Sequence, residues 1–484
     1  MVALVLGGLH LALRPRTGTD IAAQIARASF AAEHPFTPVD MSWYSGVHPY
    51  GYSLLAPYVL AVVGIGLTGL LAAVAAAVLL GRLLKDSAHP MAGAALGGFF
   101  AVANVVSGRS TFALGAVAAL AALVLLPRRR WAAVAAVLSG LFSPVAAAFL
   151  GLAAAVLVLQ RQRGGWTLGL AASIPVAVLA LLFPSGGVQP YEAGSAPYAV
   201  LAGLVLAALT HSSTLRLGGL LYALAAGLLV LLSDPFGSNI LRLGLLLATP
   251  LVVATATEHW RIVAPVAAAL VLWQVQPPYA DLQAQRPPSF VALNQALVEL
   301  EAKRVEVVPL RDHGEAAFVA PVVPLIRGWS RQIDTARNPL FYEGALDARE
   351  YGAWLRENAV DHVVLGPSAR ADGGGQAERA LLLVGSVNGL ERVWSDDQWT
   401  VWRYLPGLEI AQPPAQVLDS DRASLTVRSD RPTDGRLVLQ WSRWLSVTGP
   451  ACVERDGDGT RLRFTAPGTA VISSRLSLRP TGHC

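Results

Sequence analysis

The polar stretch from Arg14 to Tyr50 contains the residues of this chain best suited to chemistry, because almost everything else up to residue 276 is apolar. A bilayer admits ionisable groups only at its surface or in a cavity that contains water. Carboxylates and imidazoles clustered between apolar runs therefore predict a site at the membrane surface. The ionisable residues in question are Asp20, Glu33, His34, Asp40 and His48.

Asp20 is the first candidate for a catalytic residue. It opens a run of good helix formers that extends to Glu33, and Asp20, Gln24 and Arg27 fall on one helical face at i, i+4 and i+7. A carboxylate at a helix start just outside the lipid can deprotonate an incoming hydroxyl. The alternative is that Asp20 only caps the helix N-terminus, and the two roles are compatible. Gln24, on the same face, is a candidate substrate-binding residue.

Asp40 is the second candidate for a catalytic residue, because a run rich in aromatic residues follows it. Trp and Tyr rings beside carboxylates and a histidine can hold a sugar by stacking on its apolar face and bonding its hydroxyls. Aromatic residues also form interface belts whatever the function. For the cluster as a whole we favour a binding surface. It comprises Trp43, Tyr44, His48 and Tyr52.

A second polar turn, from Asp234 to Arg242, carries Asn239 and ends where another apolar run begins. The planar fork of Arg242 suits a phosphate group, although an arginine at this depth can also extend to lipid phosphates. We predict that Asn239 and Arg242 bind substrate. The sequence lacks H-E-x-x-H, G-x-S-x-G, P-loop and dinucleotide signatures, so no metal ligand is assigned.

Composition indicates which elements position these residues. The chain is 54% hydrophobic and only 14% charged, with a mean hydropathy of +0.49. Soluble domains are nearer a quarter charged, so we predict a polytopic α-helical membrane protein with about eleven spans. The stretch Leu54–Gly64 is predicted to be a helix lying in the membrane interface. The predicted spans are Val2–Leu13, Gly69–Leu84, Met91–Val106, Thr111–Leu126, Trp131–Leu141, Ala146–Leu159, Trp166–Phe183, Pro197–Thr210, Leu217–Leu232, Leu241–Thr255 and Ile262–Trp273.

Positive charge predicts the orientation of these spans. Basic residues occupy every second loop, which favours a cytoplasmic N-terminus in a plasma-membrane protein. An odd number of spans then places the polar first loop and the C-terminal half outside the cytoplasm. Although the net charge is +5, the basic residues lie mainly in short loops, so we predict no nucleic-acid partner. The basic loop residues are Arg82, Lys85, Arg128, Arg129, Arg130, Arg161, Arg163, Arg216 and Arg261.

The sequence predicts three domains. Residues 1–276 form the membrane domain, with 14–50 as its first outer loop. Residues 277–406 alternate helix and strand patterns and predict a small α/β domain. Residues 407–484 have short alternating strands typical of a β-sandwich. Cys452 and Cys484 both lie in this last region, where a disulfide and two unpaired thiols are both compatible with the sequence.

Several motifs resemble a known family. They are Gly18-Thr19-Asp20, the stretch 48–55 (HPYGYSLL), 327–334 (RGWSRQID), 338–342 (NPLFY) and Tyr351 with Trp354-Leu355. With the layout of the chain, these resemble the GT-C fold of polyprenyl-phosphate-sugar-dependent glycosyltransferases, and the last three resemble soluble regions of actinobacterial members. The likeness covers the whole chain in layout and short motifs in detail.

The resemblance implies a mechanism. Asp20 would be the base, a polyprenyl-phosphate-linked sugar would enter from the membrane lipids with its phosphate near Arg242, and transfer would invert the sugar. The acceptor would be an envelope glycan or lipid held by the soluble half. Many members have two adjacent acidic residues, whereas Ile21 follows Asp20 here. Asp40 would serve as the second carboxylate if the loop folded back, and a divalent metal is the other possibility.

Two other classes of protein remain open. A major-facilitator-like transporter has a similar Ala- and Leu-rich composition, but the spans carry little charge, no two-fold repeat is visible, and a large exported C-terminal region is unusual for carriers. A non-catalytic envelope-assembly protein would have the same layout with an inactive site. Sugar transfer by the purified protein distinguishes the enzyme from both.

Overall fold

The computed structural model describes residues 1–13, 18–257, 260–283, 288–366, 371–405 and 409–484. The chain forms two compact units. Unit 1 comprises Met1–Gln24 and Tyr50–Ala284, and unit 2 comprises Ile25–Pro49 and Gln285–Cys484. Residues 25–49 therefore belong with the C-terminal half, whereas the sequence pattern suggested that they belong with the membrane domain. The predicted domain boundary at residues 406 and 407 lies outside the described residues.

Unit 1 is built from apolar helices, because its runs of Ala, Leu, Val and Gly carry few charges. Helix α2 begins in unit 1 and ends in unit 2. The helices are α1 (Val2–Leu13), α2 (Ile21–Glu33), α3 (Ala56–Val63), α4 (Ile65–Leu83), α5 (Pro90–Val106), α6 (Ser110–Val124), α7 (Arg129–Phe142), α8 (Pro144–Leu159), α9 (Gly164–Leu182), α10 (Ala196–Leu209), α11 (Ser213–Leu228), α12 (Leu241–Thr255) and α13 (Trp260–Gln283).

Four of the described helical segments are long and apolar enough to cross a membrane: Ile65–Leu83, Gly164–Leu182, Gly237–Thr255 and Trp260–Gln283. Six further apolar helices have only 10–17 residues. At 1.5 Å per residue, 17 residues reach about 26 Å, less than a hydrocarbon core of about 30 Å. The prediction of about eleven spans is therefore not supported. Polar or proline-containing turns end many of the apolar runs before they reach that length.

Small residues fill the interior of unit 1. One of its buried clusters contains alanines such as Ala72 and Ala73 together with the rings of Phe112 and Phe149. In lipid, no hydrophobic effect drives helices together. Small side chains stabilise their packing because they let the helix backbones approach closely. Phe112 and Phe149 meet edge to face, with their ring centres 6.1 Å apart. Phe112 also lies next to the candidate site described below.

Unit 2 begins with an α/β region. Its four-stranded sheet has the order β1-β2-β4-β3, in which β1 and β2 are parallel and the other neighbours antiparallel. Helices and strands alternate along this region, the pattern that the sequence predicted. The elements are α14 (Val291–Glu299), β1 (Val305–Val307), α15 (Gly314–Phe318), α16 (Arg331–Arg337), α17 (Ala348–Glu357), β2 (His362–Leu365), α18 (Gln376–Val384), β3 (Leu390–Ser395) and β4 (Thr400–Tyr404).

The C-terminal region of unit 2 contains two antiparallel sheets, with strand orders β5-β6-β11-β8 and β7-β10-β9. Buried and exposed residues alternate along several strands, as in β10. Cys452 and Cys484 form a disulfide, which the sequence alone left open. The strands are β5 (Gln416–Ser420), β6 (Ser424–Ser429), β7 (Thr433–Gln440), β8 (Leu445–Thr448), β9 (Ala451–Asp456), β10 (Gly459–Phe464) and β11 (Gly468–Ser474).

Candidate functional site

Two glycine turns fix the position of Asp20 in unit 1. Gly18 has φ +99° and Gly108 has φ +76°, a left-handed conformation that costs glycine little and other residues more. A Cβ on Gly108 would lie 2.6 Å from the backbone nitrogen of Ile21, and a Cβ on Gly18 would overlap the backbone of Ser107. The turn before α2 and the turn between α5 and α6 therefore touch backbone to backbone.

The carboxylate of Asp20 is paired with two arginines of unit 1. Its Oδ2 lies 3.0 Å from Nη2 of Arg242 and 3.5 Å from Nε of Arg109. The three side chains are each 16–20% exposed, so ligands and water can still reach them. Arg109 directly precedes α6, whose N-terminus adds positive potential. The guanidinium of Arg242 also lies 5.7 Å from the centre of the Phe112 ring.

A second carboxylate belongs to this cluster. Asp281, near the end of α13, is only 8% exposed and interacts electrostatically with both Arg109 and Asp20. It was not predicted from the sequence, because the apolar pattern suggested that the chain leaves the membrane at Pro277-Pro278. Helix α13 instead continues through these prolines to Gln283. An isolated carboxylate a few residues beyond an apolar run was the signal that could have identified it.

This cluster contains two carboxylates and two guanidinium groups, and a phosphate could bind the arginines in place of Asp20. Burial lowers the pKa of Arg109, the neighbouring charge of Arg242 lowers it further, and Asp20 and Asp281 raise it. Two guanidinium groups held close together repel, and an anion between them relieves that repulsion. The arrangement can therefore bind a phosphate beside a carboxylate that is able to accept a proton.

Two cavities adjoin the arginines. A narrow cleft of about 10 Å³, room for roughly one water molecule, is lined by Asn104, Arg109, Arg242 and Gln274 among others. A much larger apolar cavity of about 490 Å³ is lined by residues of α4, α6, α8, α10, α11 and α12. Phe112, one of its lining residues, is the ring that Arg242 contacts. Phe112 therefore both contacts the charged cluster and lines the apolar cavity.

Gln24 holds the start of α2 against α6. Its side chain is 1% exposed, and its Oε1 accepts hydrogen bonds from the backbone nitrogen of Thr111, at 3.3 Å, and from the Thr111 hydroxyl. Gln24 follows Asp20 by about one helical turn, and Thr111 follows Arg109 closely at the start of α6. Gln24, predicted to bind substrate, thus makes contacts suited to positioning Asp20.

Asn239 stabilises the turn that leads to Arg242. Its Nδ2 donates to the carbonyl of Phe236 at 2.9 Å. The carboxylate of Asp234 accepts from the backbone nitrogens of Phe236 and Gly237, at 2.7 and 3.0 Å. The turn therefore orients the start of α12, on which Arg242 lies. Tyr52, also predicted to bind substrate, is half-buried in unit 1.

Asp40 belongs to unit 2, and the structure does not group it with Asp20. Its side chain is 5% exposed, and its Oδ1 accepts from the backbone nitrogen and hydroxyl of Ser42, at 2.9 and 2.5 Å. Its Oδ2 lies 3.6 Å from Arg422, which also pairs with Glu33 at 3.2 Å. These contacts favour a structural role for Asp40. The second carboxylate near Asp20 within unit 1 is Asp281.

Two of the aromatic residues predicted to bind sugar, Trp43 and Tyr44, are buried. Trp43 and Tyr44 are each 2% exposed, with Trp43 Nε1 donating to Ala316 O at 3.3 Å and Tyr44 OH donating to Gly328 O at 2.7 Å. Burial raises the pKa of Tyr44 well above its usual value. Nε2 of His48 lies 2.9 Å from the hydroxyl of Ser442. Neither Trp43 nor Tyr44 offers an exposed ring face, and both pack the interior of unit 2.

The segment 327–334, singled out by the family resemblance, forms a buried ion network in unit 2. Arg327 contacts Asp334 at 2.6 Å and Glu378 at 3.1 Å, and its guanidinium lies 3.9 Å from the centre of the Phe341 ring. Tyr351 donates to Glu378 at 2.8 Å. Burial raises the pKa of Glu378 to about 7, although the charge of Arg327 opposes this. The motif residues therefore hold the α/β region together.

A buried histidine lies near this network. His313 stacks on Trp329, with the ring centres 3.6 Å apart, and its Nδ1 lies 3.2 Å from Glu315. Burial alone would lower the pKa of His313, but the neighbouring carboxylates of Asp372 and Glu315 raise it to about 9. His313 is therefore protonated in the folded protein at neutral pH.

No group of three or more His, Cys, Asp or Glu residues comes together as a metal-ligand set in the part of the chain that the structure describes. No family model matches this chain, and no curated protein matches it either.

Proposed function

We propose that this protein is a membrane glycosyltransferase that transfers a sugar from a polyprenyl-phosphate donor to an extracytoplasmic glycan or lipid of the cell envelope. The observation that carries the proposal is the contact of Asp20 with Arg109 and with Arg242, which in turn lies against Phe112 in the lining of the apolar cavity of about 490 Å³. The resemblance of Gly18-Thr19-Asp20 and of the stretch 48–55 to GT-C glycosyltransferases supports the same reaction.

The two ends of a lipid-linked donor match these two features. Its phosphate would bind Arg242, because a guanidinium donates two parallel hydrogen bonds to phosphate oxygens. Its hydrocarbon chain would enter the apolar cavity beyond Phe112, where burial removes it from water. A water-soluble nucleotide sugar would make no use of that cavity.

In the proposed reaction, Asp20 accepts the proton of an acceptor hydroxyl. The hydroxyl oxygen attacks the anomeric carbon of the sugar and forms the new glycosidic bond with inversion. The bond between that carbon and the phosphate oxygen breaks, and its electron pair leaves with the prenyl phosphate. Arg242 stabilises the negative charge that develops on the leaving phosphate.

The distribution of basic residues supports an extracytoplasmic position for this cluster. The basic loop Arg128-Arg129-Arg130 lies one helix away, along the chain, from the turn that carries Arg109, and Arg216 and Arg261 lie one helix to either side of the turn that carries Arg242. Because basic loops are retained on the cytoplasmic side, these turns would lie outside. Unit 2 would then also lie outside and hold the acceptor.

The direct test is sugar transfer by the purified protein from a polyprenyl-phosphate sugar, compared with the Asp20→Asn variant. We expect turnover to fall by about 10²–10⁴-fold, the contribution of a general base. Asp40→Asn and Glu33→Gln, whose carboxylates pair with Arg422 in unit 2, should reduce turnover less once variants are matched for thermal stability. Near-normal turnover of Asp20→Asn would reject Asp20 as the base. Movement of the donor without cleavage would favour a transporter.

A further inference from the structure

We infer that Arg109 is a second ligand of the donor phosphate, and that this phosphate draws Arg109 and Arg242 away from Asp20, so that Asp20 acts as a base only once the donor is bound. The inference rests on the proposed function and adds an order of events to it. Donor binding would have to precede proton removal from the acceptor.

The first support is that both arginines contact the same oxygen of Asp20. Both contacts, at 3.0 and 3.5 Å, fall on Oδ2 of Asp20. A general base must direct an oxygen lone pair at the hydroxyl within about 2.6–3.2 Å. While two guanidinium groups surround Oδ2, that oxygen is not available to a substrate hydroxyl. The ligand-free arrangement therefore occupies one of the two oxygens of the proposed base and holds its negative charge against two guanidinium groups.

The second support is an unsatisfied donor group. Nε of Arg109 is buried and, within the described residues, makes no hydrogen bond, although it lies 3.5 Å from Oδ2 of Asp20. An unmade hydrogen bond from a buried charged group is costly. A phosphate oxygen could accept from this group, and a phosphate has enough oxygens to bind two arginines at once. Binding would therefore satisfy a group that Asp20 leaves unsatisfied.

The backbone around the cluster indicates which groups would move. The glycine turns at Gly18 and Gly108 touch backbone to backbone, so Asp20 has little room to shift. The arginine side chains are long and reach Asp20 from the turn before α6 and from α12. Asp281, on α13, interacts electrostatically with Arg109 from a third element. The exchange would therefore consist of side-chain motion by Arg109 and Arg242.

The test is equilibrium binding of a short prenyl phosphate to the full-length protein in detergent micelles, without any acceptor. If Asp20 competes with phosphate for the arginines, Asp20→Asn should bind the lipid phosphate about tenfold more tightly than the wild type. Arg109→Gln should bind it about tenfold more weakly, and the gain from Asp20→Asn should shrink when both changes are combined. Arg128→Gln, which removes an exposed arginine of the same unit, is the matched control and should change nothing.

Two ligand arms identify the recognised group. The prenyl alcohol, which lacks phosphate, should bind equally to the wild type and to Asp20→Asn. Inorganic phosphate should rank the wild type and the variants in the same order as prenyl phosphate does, because the arginines recognise the phosphate group. A lower affinity of every protein for inorganic phosphate would measure the contribution of the lipid chain.

Unchanged or weaker binding of prenyl phosphate by Asp20→Asn would overturn the inference, because Asp20 would then position the arginines and not compete for them. An unchanged affinity in Arg109→Gln would overturn it as well. These outcomes are separate from the proposed reaction, which sugar transfer by the wild type tests. Transfer without tighter binding by Asp20→Asn rejects only the exchange, whereas tighter binding without transfer rejects only the glycosyltransferase.

Discussion

The substitution Gly108→Ala tests whether the two glycine turns set the geometry of the charged cluster. The added Cβ would lie 2.6 Å from the nitrogen of Ile21, whereas ordinary van der Waals contact begins at 3.4 Å. The turns would have to separate by the difference of about 0.8 Å. If the whole shift passed to Asp20, its 3.5 Å contact with Arg109 would lengthen to about 4.3 Å, beyond an ion pair.

Two effects follow from this shift. An alanine at positive φ costs about 1–2 kcal/mol of stability. A displacement approaching 1 Å at a reacting group can reduce turnover by up to about 10²-fold. The first effect is general and the second is specific to the site, so one control variant separates them.

The control is Gly186→Ala, because Gly186 has φ +64° and a Cβ there would meet nothing within 4 Å. Both variants should lose similar stability from the backbone, measured as the free energy of unfolding or as the thermal midpoint in detergent. Only Gly108→Ala should also lose prenyl phosphate affinity and sugar transfer. Equal behaviour of the two variants in the binding and transfer assays would refute the role of the turns.

Four other predictions concern separate parts of the molecule. Arg242→Ala should weaken donor binding and Arg242→Lys should restore it only in part, since lysine lacks the planar fork; unchanged donor dependence would exclude the phosphate role. The pKa of His313 rises from 6.5 to about 9 on folding, so its stabilisation of up to about 3 kcal/mol is present below pH 6.5 and lost as the pH rises towards 9. His313→Gln should remove that part of the pH dependence of unfolding, and an unaltered profile would contradict it. Replacing Cys452 and Cys484 by serine should cost about 2–4 kcal/mol in the free energy of unfolding by denaturant, and no loss would mean that the disulfide does not stabilise the fold. A reporter active only outside the cytoplasm, fused after Cys484, should be active, and the reverse result would invert the proposed orientation.

Local patterns in the sequence predicted most elements. The helix that begins after Asp20 and the alternation of helices and strands in the α/β region occur as expected, because each depends on short runs of periodic residues. The number of spans was not predictable in the same way. An apolar run shows that a segment is buried or in lipid, but the turn that ends it determines whether the helix reaches across a bilayer.

The candidate site was predictable only in part. Asp20 and Arg242 were identified because a charged residue stands out beside an apolar run. Their contact joins positions 222 residues apart, and no local pattern carries that information. Asp281 was missed because two prolines suggested an exit from the membrane, although prolines within a membrane helix can be accommodated by neighbouring groups.

The aromatic run after Asp40 shows the opposite problem. Trp43 and Tyr44 have the residue types of a sugar-binding surface, but they are buried by packing within unit 2. Aromatic rings stabilise a protein interior and bind sugars through the same apolar faces, so composition alone does not distinguish the two roles. Only the exposed area of each ring does so, and that depends on the tertiary fold.

The most direct test of the phosphate site is an experimental structure of the full-length protein with a prenyl phosphate bound. We predict phosphate density within about 3 Å of the guanidinium groups of Arg109 and Arg242, and hydrocarbon density in the apolar cavity beyond Phe112. The contacts of both arginines with Asp20 should be longer than 3.0 and 3.5 Å in that complex. Phosphate density at the basic loop that contains Arg128, with Asp20 still paired to both arginines, would contradict the proposed site.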